Sequence, residues 1–98
     1  MNNKIKTEAV DHLFDAILTL KDKDECYKFF EDLCTINEIL SLSQRYEVAA
    51  MLSKRNTYLE IASKTGASTA TISRVNRSLS YGNDGYEMVF ERLKKDEQ

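Results

Sequence analysis

Between Thr57 and Leu79 the sequence reads TYLEIASKTGASTATISRVNRSL, and this stretch leaves few folds open. Thr57 and Glu60 have the spacing of a capping box, in which the hydroxyl accepts from an orphan N–H and the carboxylate reaches back. A helix therefore starts at about Tyr58, with Leu59, Ile61 and Ala62 as its inner apolar contacts. Gly66 follows, where a helix can stop in the left-handed region without a Cβ penalty. Ser68 is placed to cap a second helix, running from about Thr69 to Leu79. Its apolar positions Ile72, Val75 and Leu79 recur at i, i+3 and i+7, one stripe. Ala62 is small enough for the two helices to approach closely. Together these signals specify a helix-turn-helix over about 57–79.

The outer face of the second helix carries Thr69, Ala70, Ser73 and Arg77, with Thr71 at the boundary. Small polar side chains let a helix enter a groove, and only those in its first turn reach base edges. Arg77 suits phosphate or guanine. Two short helices around a glycine also occur in proteins that never touch DNA, so charge has to separate the readings. Residues 45–79 hold six bases against two acids, a net of +4. Residues 1–44 carry −4 and residues 80–98 carry −2, giving the chain its total of −2. A mildly acidic chain thus concentrates positive charge on the segment with the turn. Distant acids are screened over roughly 8–10 Å, so local charge decides affinity for a phosphate backbone. The expected partner is double-stranded DNA, bound through Lys64, Ser68, Thr69, Ala70, Thr71, Ser73 and Arg77.

The rest of the chain also predicts helix. There is no proline and there are only three glycines, Gly66, Gly82 and Gly85, all at expected helix boundaries. Val10, Leu13, Phe14 and Ile17 share one face of a helix over about 7–20. Asp22 and Glu25 repeat the capping spacing before a helix over about 23–34, with Cys26, Phe29, Phe30 and Leu33 on one face. Thr35 with Glu38 caps a short piece, and Ser43 opens the next helix, whose Val48–Leu52 run is apolar on nearly every side. Asp84 with Glu87 caps a last helix carrying Tyr86, Val89, Phe90 and Leu93. Period-two alternation is missing, so no sheet is expected. The 98 residues predict one all-α domain of about six helices, with frayed ends at about 1–6 and 94–98.

Short helices need tertiary burial, and the 48–52 run needs partners on several sides. A second copy supplies them. It also doubles the reading element, placing two helices on half-sites roughly 34 Å apart. The expectation is a two-fold homodimer on a near-palindromic site.

No other chemistry is assembled. His12 is the one histidine, so no Ser-His-Asp set forms, and an enzyme is not expected. Cys26 and Cys34 are eight residues apart on one predicted helix, about 12 Å, too far to bridge. No Cys/His spacing suggests zinc. Both cysteines read as buried thiols in a reducing cytoplasm. The N-terminus lacks the apolar core of a signal peptide, and no apolar run approaches the ~18 residues of a membrane span. A cytoplasmic location is therefore expected.

The run Gly66-Ala67-Ser68-Thr69-Ala70-Thr71-Ile72-Ser73-Arg74, with Ser78-Leu79 after it and Leu42-Ser43-Gln44-Arg45-Tyr46-Glu47-Val48-Ala49 upstream, resembles the Trp repressor family. Within it the chain is most similar to the small TrpR-related proteins of the YerC/YecD type, over about Ala9 to Leu93. The resemblance implies a six-helix fold, an intertwined homodimer and operator binding in transcriptional repression. It implies that Thr69, Ala70, Thr71 and Ser73 face the operator. Arg74 and Ser78 match residues that line the family's corepressor pocket. Gln44 aligns with a second pocket arginine, and Arg45 lies one position away. Val75 stands where the family has a glycine against which the indole lies, and its side chain would enter that space. These departures count against L-tryptophan as corepressor and leave the effector set at Gln44, Arg45, Arg74 and Ser78. The alternative function is a protein-interaction module that keeps the fold without reading DNA.

Overall fold

The computed structural model describes residues 4–97, and among these the secondary structure is entirely helical. The helices are α1 (Glu8–Ile17), α2 (Lys23–Leu33), α3 (Ile36–Ser53), α4 (Tyr58–Thr65), α5 (Thr69–Tyr81) and α6 (Gly85–Glu97). None is long and apolar enough to cross a membrane. Of the ends expected to fray, residues 1–3 and 98 lie outside the described residues.

Local capping fixes most of the boundaries. Thr7 accepts from the Val10 N–H and starts α1. Asp22 accepts from the Glu25 N–H and starts α2. Thr35 and Glu38 bond reciprocally: the Thr35 N–H donates to Glu38 Oε1 at 2.8 Å, and the Glu38 N–H donates to Thr35 Oγ1 at 3.1 Å. That pair starts α3, which then runs for 18 residues without a break. Ser43 does not open a new helix, as the sequence had suggested. Its hydroxyl donates back to the Leu40 carbonyl at 2.9 Å, and no glycine or proline stands nearby to end the helix.

Asp84 differs from its expected role as well. It lies in the left-handed region (φ 61°), not in the extended geometry from which Thr57 and Ser68 cap their helices. Arg55 is also left-handed (φ 65°). It closes α3 with the Asn56 N–H donating to the Met51 carbonyl and the Arg55 N–H to the Leu52 carbonyl, the paired bonds of a Schellman ending.

The contacts group into two units, one up to Ile39 and the other from Leu40 onward. The first holds α1, α2 and the start of α3. None of its described residues is buried, and Phe14, Leu18, Tyr27, Leu33 and Ile36 are exposed. Phe29 and Phe30 meet edge to face at 5.7 Å. Cys26 is exposed and Cys34 half-buried, which corrects the expectation of two buried thiols. On the predicted faces Leu13, Ile17, Phe29 and Phe30 are half-buried while Phe14, Cys26 and Leu33 are exposed, so those faces are only partly covered. His12 is exposed, with its Nε2 3.8 Å from Glu8.

The second unit contains the core. Val48 and Ala49 of α3, Ile61 of α4, Ala67 of the turn, and Ile72 and Val75 of α5 are the buried hydrophobic residues among those described. Met51, Leu52, Ala62, Leu79, Tyr86 and Phe90 pack around them. Phe90 of α6 lies 5.6 Å from the Tyr46 ring and 6.1 Å from the Tyr86 ring. Leu59 is 82% exposed, so it is not the inner contact its spacing suggested; Ile61 and Ala62 take that role.

Candidate nucleic-acid interface

The α4–turn–α5 segment is built by four local devices. Thr57 accepts from the Glu60 N–H, while Glu60 Oε1 accepts from the Thr57 N–H at 3.0 Å, a complete capping box. These hydrogen bonds, the backbone one foremost, hold the Glu60 carboxyl below its ordinary range. At the other end of α4, Gly66 is left-handed (φ 74°) and its N–H donates to the Ala62 carbonyl. Ser68 is extended and accepts from the Thr71 N–H at 3.1 Å, which starts α5. Thr65 joins the two halves: its Oγ1 donates to the Ile61 carbonyl at 2.7 Å and accepts from the Ala67 N–H at 3.1 Å.

Packing then sets which face of α5 is free. Ile72 and Val75 are buried and Leu79 is half-buried. Ser68, Thr69, Ala70, Ser73, Arg74 and Arg77 are exposed, and Thr71 is half-buried between the two faces. The outward start of α5 is therefore small, polar and unobstructed. Lys64, Arg74 and Arg77 are exposed and make no ion pair among the described residues. Arg74 and Arg77 lie on α5 itself and Lys64 in the last turn of α4, so cations accompany a helix slim enough for a major groove, the combination that phosphate contact and base reading require.

The residues matched to an effector pocket fall in different places. Gln44 lines a groove of about 550 Å³ with Leu40, Glu47, Lys54, Lys64 and Thr65. Ser78 lines another of about 460 Å³, with Tyr46, Tyr86 and Val89. Ser78 Oγ also donates to the Arg74 carbonyl at 3.4 Å, and Arg45 is half-buried on α3. Val75 is 2% exposed and forms part of the core. Two features escaped the sequence reading. One is the hydrogen bond from Gln44 Nε2 to the Thr65 carbonyl at 3.2 Å, which joins residues 21 apart and leaves no local signature. The other is the pairing of Lys54 with Lys64 in the Gln44 groove; the sequence places Lys54–Asn56 beside the likely pocket but does not show which cation it would face.

Known proteins share this fold. The family model described as Trp repressor protein matches residues 8–94. An uncharacterized protein of Bacillus subtilis (strain 168), YerC, is 61% identical over 95 residues, covering 97% of this chain and 91% of that protein. A solved TrpR-like protein from Eubacterium eligens ATCC 27750 is 76% identical, with a TM-score of 0.93 over 95% of this chain and 96% of that one. A second solved structure, from Staphylococcus aureus, is 58% identical with a TM-score of 0.91, covering 94% and 92% of the two chains. By its helix-turn-helix, its profile match and its close relatives, the chain belongs to the Trp repressor family, in the YerC-type subgroup.

Proposed function

We propose that this protein is a transcriptional regulator that binds double-stranded DNA sequence-specifically and represses, with α5 in the major groove. One observation carries the reading: α5 buries Ile72 and Val75 while Thr69, Ala70, Ser73 and both of its arginines stay exposed, and neither arginine makes an ion pair among the described residues. Arg77, Arg74 and Lys64 supply phosphate contacts, and Thr69, Ala70, Thr71 and Ser73 meet the base edges, with Ser68 at the mouth of the groove.

The working form is a homodimer. No described residue of α1, α2 or α6 is buried, although each helix carries an apolar face. Leu18 and Ile36 are 82% and 77% exposed. Burying such side chains is worth roughly 1.5–3 kcal/mol apiece, and a second copy offers the matching apolar surface. Two copies of α5 then meet half-sites about one DNA turn apart, roughly 34 Å.

The test is selection of binding sites from random duplex DNA by the purified protein, with and without L-tryptophan. Enrichment of a palindrome in both arms supports the reading. Enrichment only with tryptophan keeps the DNA function and makes it ligand-dependent. No enrichment in either arm, with binding that ignores salt, favours a protein-interaction module that has kept the fold, because phosphate contacts make affinity fall steeply as salt rises.

A further inference from the structure

Thr65 is the last residue of α4, and the final carbonyls of a helix have no partner within it. The Thr65 carbonyl finds one on another helix: Gln44 Nε2, from the middle of α3, at 3.2 Å. The Thr65 hydroxyl is engaged as well, with the Ile61 carbonyl on one side and the Ala67 N–H on the other. One residue thus ties together α3, the end of α4 and the turn into α5. The apolar side of the turn is fixed to the same helix. Ala67 is 4% exposed in a cluster with Val48 and Ala49 of α3 and Ile61, Ile72 and Val75 of the helix pair. Val75 of α5 is itself 2% exposed in that cluster. Both the polar and the apolar attachment are made by the chain's own residues.

We propose that Gln44 is a positioning residue that locks the α4–α5 pair onto α3, so that DNA binding by this protein is independent of any small-molecule ligand. The inference rests on the reading of α5 as the DNA-contacting helix. A helix presented at a fixed angle binds at full strength, whereas one that samples other angles binds in proportion to its competent fraction. The Gln44 amide raises that fraction from within the chain.

The experiment uses the full chain, refolded from denaturant to strip any co-purified small molecule, on a duplex obtained by selection. Stripped wild-type protein is expected to bind within about twofold of the untreated protein, since its competent fraction is unchanged. Gln44→Leu, which keeps the bulk and removes the donor, is expected to lose roughly five- to tenfold in affinity, the size of one net hydrogen bond. Gln44→Lys restores an N–H donor of similar reach and is expected to return slow amide exchange around Thr65–Ser68 in the DNA-free protein, a readout that the added charge's attraction for phosphate does not move and that a purely packing role for Gln44 would not produce. Amide exchange should speed up around Thr65–Ser68 in Gln44→Leu and stay slow at Val48 and Ala49.

Stripped protein that binds only after its small-molecule fraction is returned overturns the proposal. So does a Gln44→Leu variant that binds like wild type. If wild-type protein selects no duplex, the DNA reading itself has failed. Amide exchange then decides the lock alone: faster exchange at the turn in Gln44→Leu supports it, and unchanged exchange overturns it.

Discussion

Ser68 and Thr71 hold each other twice across the first turn of α5. The Thr71 N–H donates to Ser68 Oγ at 3.1 Å, and Ser68 Oγ donates in turn to Thr71 Oγ1 at 3.1 Å. The residue that starts the helix therefore also orients the Thr71 hydroxyl, at the boundary between the buried and exposed faces of α5. On the proposed reading of α5, helix stability and base reading are coupled through one side chain.

Ser68→Ala tests that coupling. Losing an N-cap serine costs typically about 1 kcal/mol, so the unfolding free energy from urea melts should fall by about that amount. Sequence preference should also blur, because Thr71 Oγ1 loses the donor that fixes it. Thr71→Val keeps the Thr71 N–H and hence the cap. It should change preference with little loss of stability. Binding-site selection with both variants, beside urea melts, separates the two effects; wild-type preference in both would remove Thr71 from the reading face.

Arg77 and Thr71 should fail differently. Arg77→Ala is expected to weaken binding on every duplex alike and to lower the slope of log K against log salt by about one, the signature of one lost phosphate contact. Thr71→Ala is expected to redistribute affinity among sequences with an unchanged slope. Salt titrations by fluorescence anisotropy on two duplexes are enough to distinguish them.

Where the sequence was legible, the determining interaction spans three or four residues. Thr57 with Glu60, Asp22 with Glu25, Ser68, and Gly66 all act within one helical turn, and their side chains specify the geometry directly. Where it was not, the determinant lay elsewhere in the chain. The bond of Gln44 to Thr65 joins positions 21 apart. Ser43 has the chemistry of a cap, but a serine inside a helix can turn back to a carbonyl, as Ser43 does. The exposure of Phe14, Cys26 and Leu59 was hidden for a related reason: periodicity identifies a face, not what covers it. The small, exposed first turn of α5 was readable because Ile72 and Val75 fix the phase of the helix.

Backbone conformation yields a prediction of opposite sign at two turns. A Cβ at Gly66 would meet nothing within 4 Å, so Gly66→Ala suffers only the left-handed penalty, roughly 1–2 kcal/mol. Arg55 already bears that penalty at the end of α3 (φ 65°). Arg55→Asn, which tolerates this region better, should stabilise the fold by about 0.5–1 kcal/mol. Thermal melts of the two variants should move in opposite directions. A Gly66→Ala protein as stable as wild type would contradict the assigned geometry of the turn.

The capping carboxylates set the acid limit. Glu60 is lowered from its ordinary 4.5, first by the backbone hydrogen bond from Thr57 and then by the Thr57 and Asn56 side chains. Glu38 is lowered from the same value by the Thr35 backbone and side chain. Both groups bind protons less readily folded than unfolded, so their contribution to stability is complete above the unfolded value. It should disappear as pH falls below 4.5 and through the lowered folded values. Both carboxylates are fully exposed, so the effect is modest and should shrink with added salt. Glu60→Gln removes one titrating group while keeping an acceptor for the Thr57 N–H. Its stability should therefore fall less steeply between pH 5 and about pH 3 than that of wild type, as read by urea melts at each pH. Parallel acid profiles for the two proteins would show that the capping box at the start of α4 does not carry the linkage.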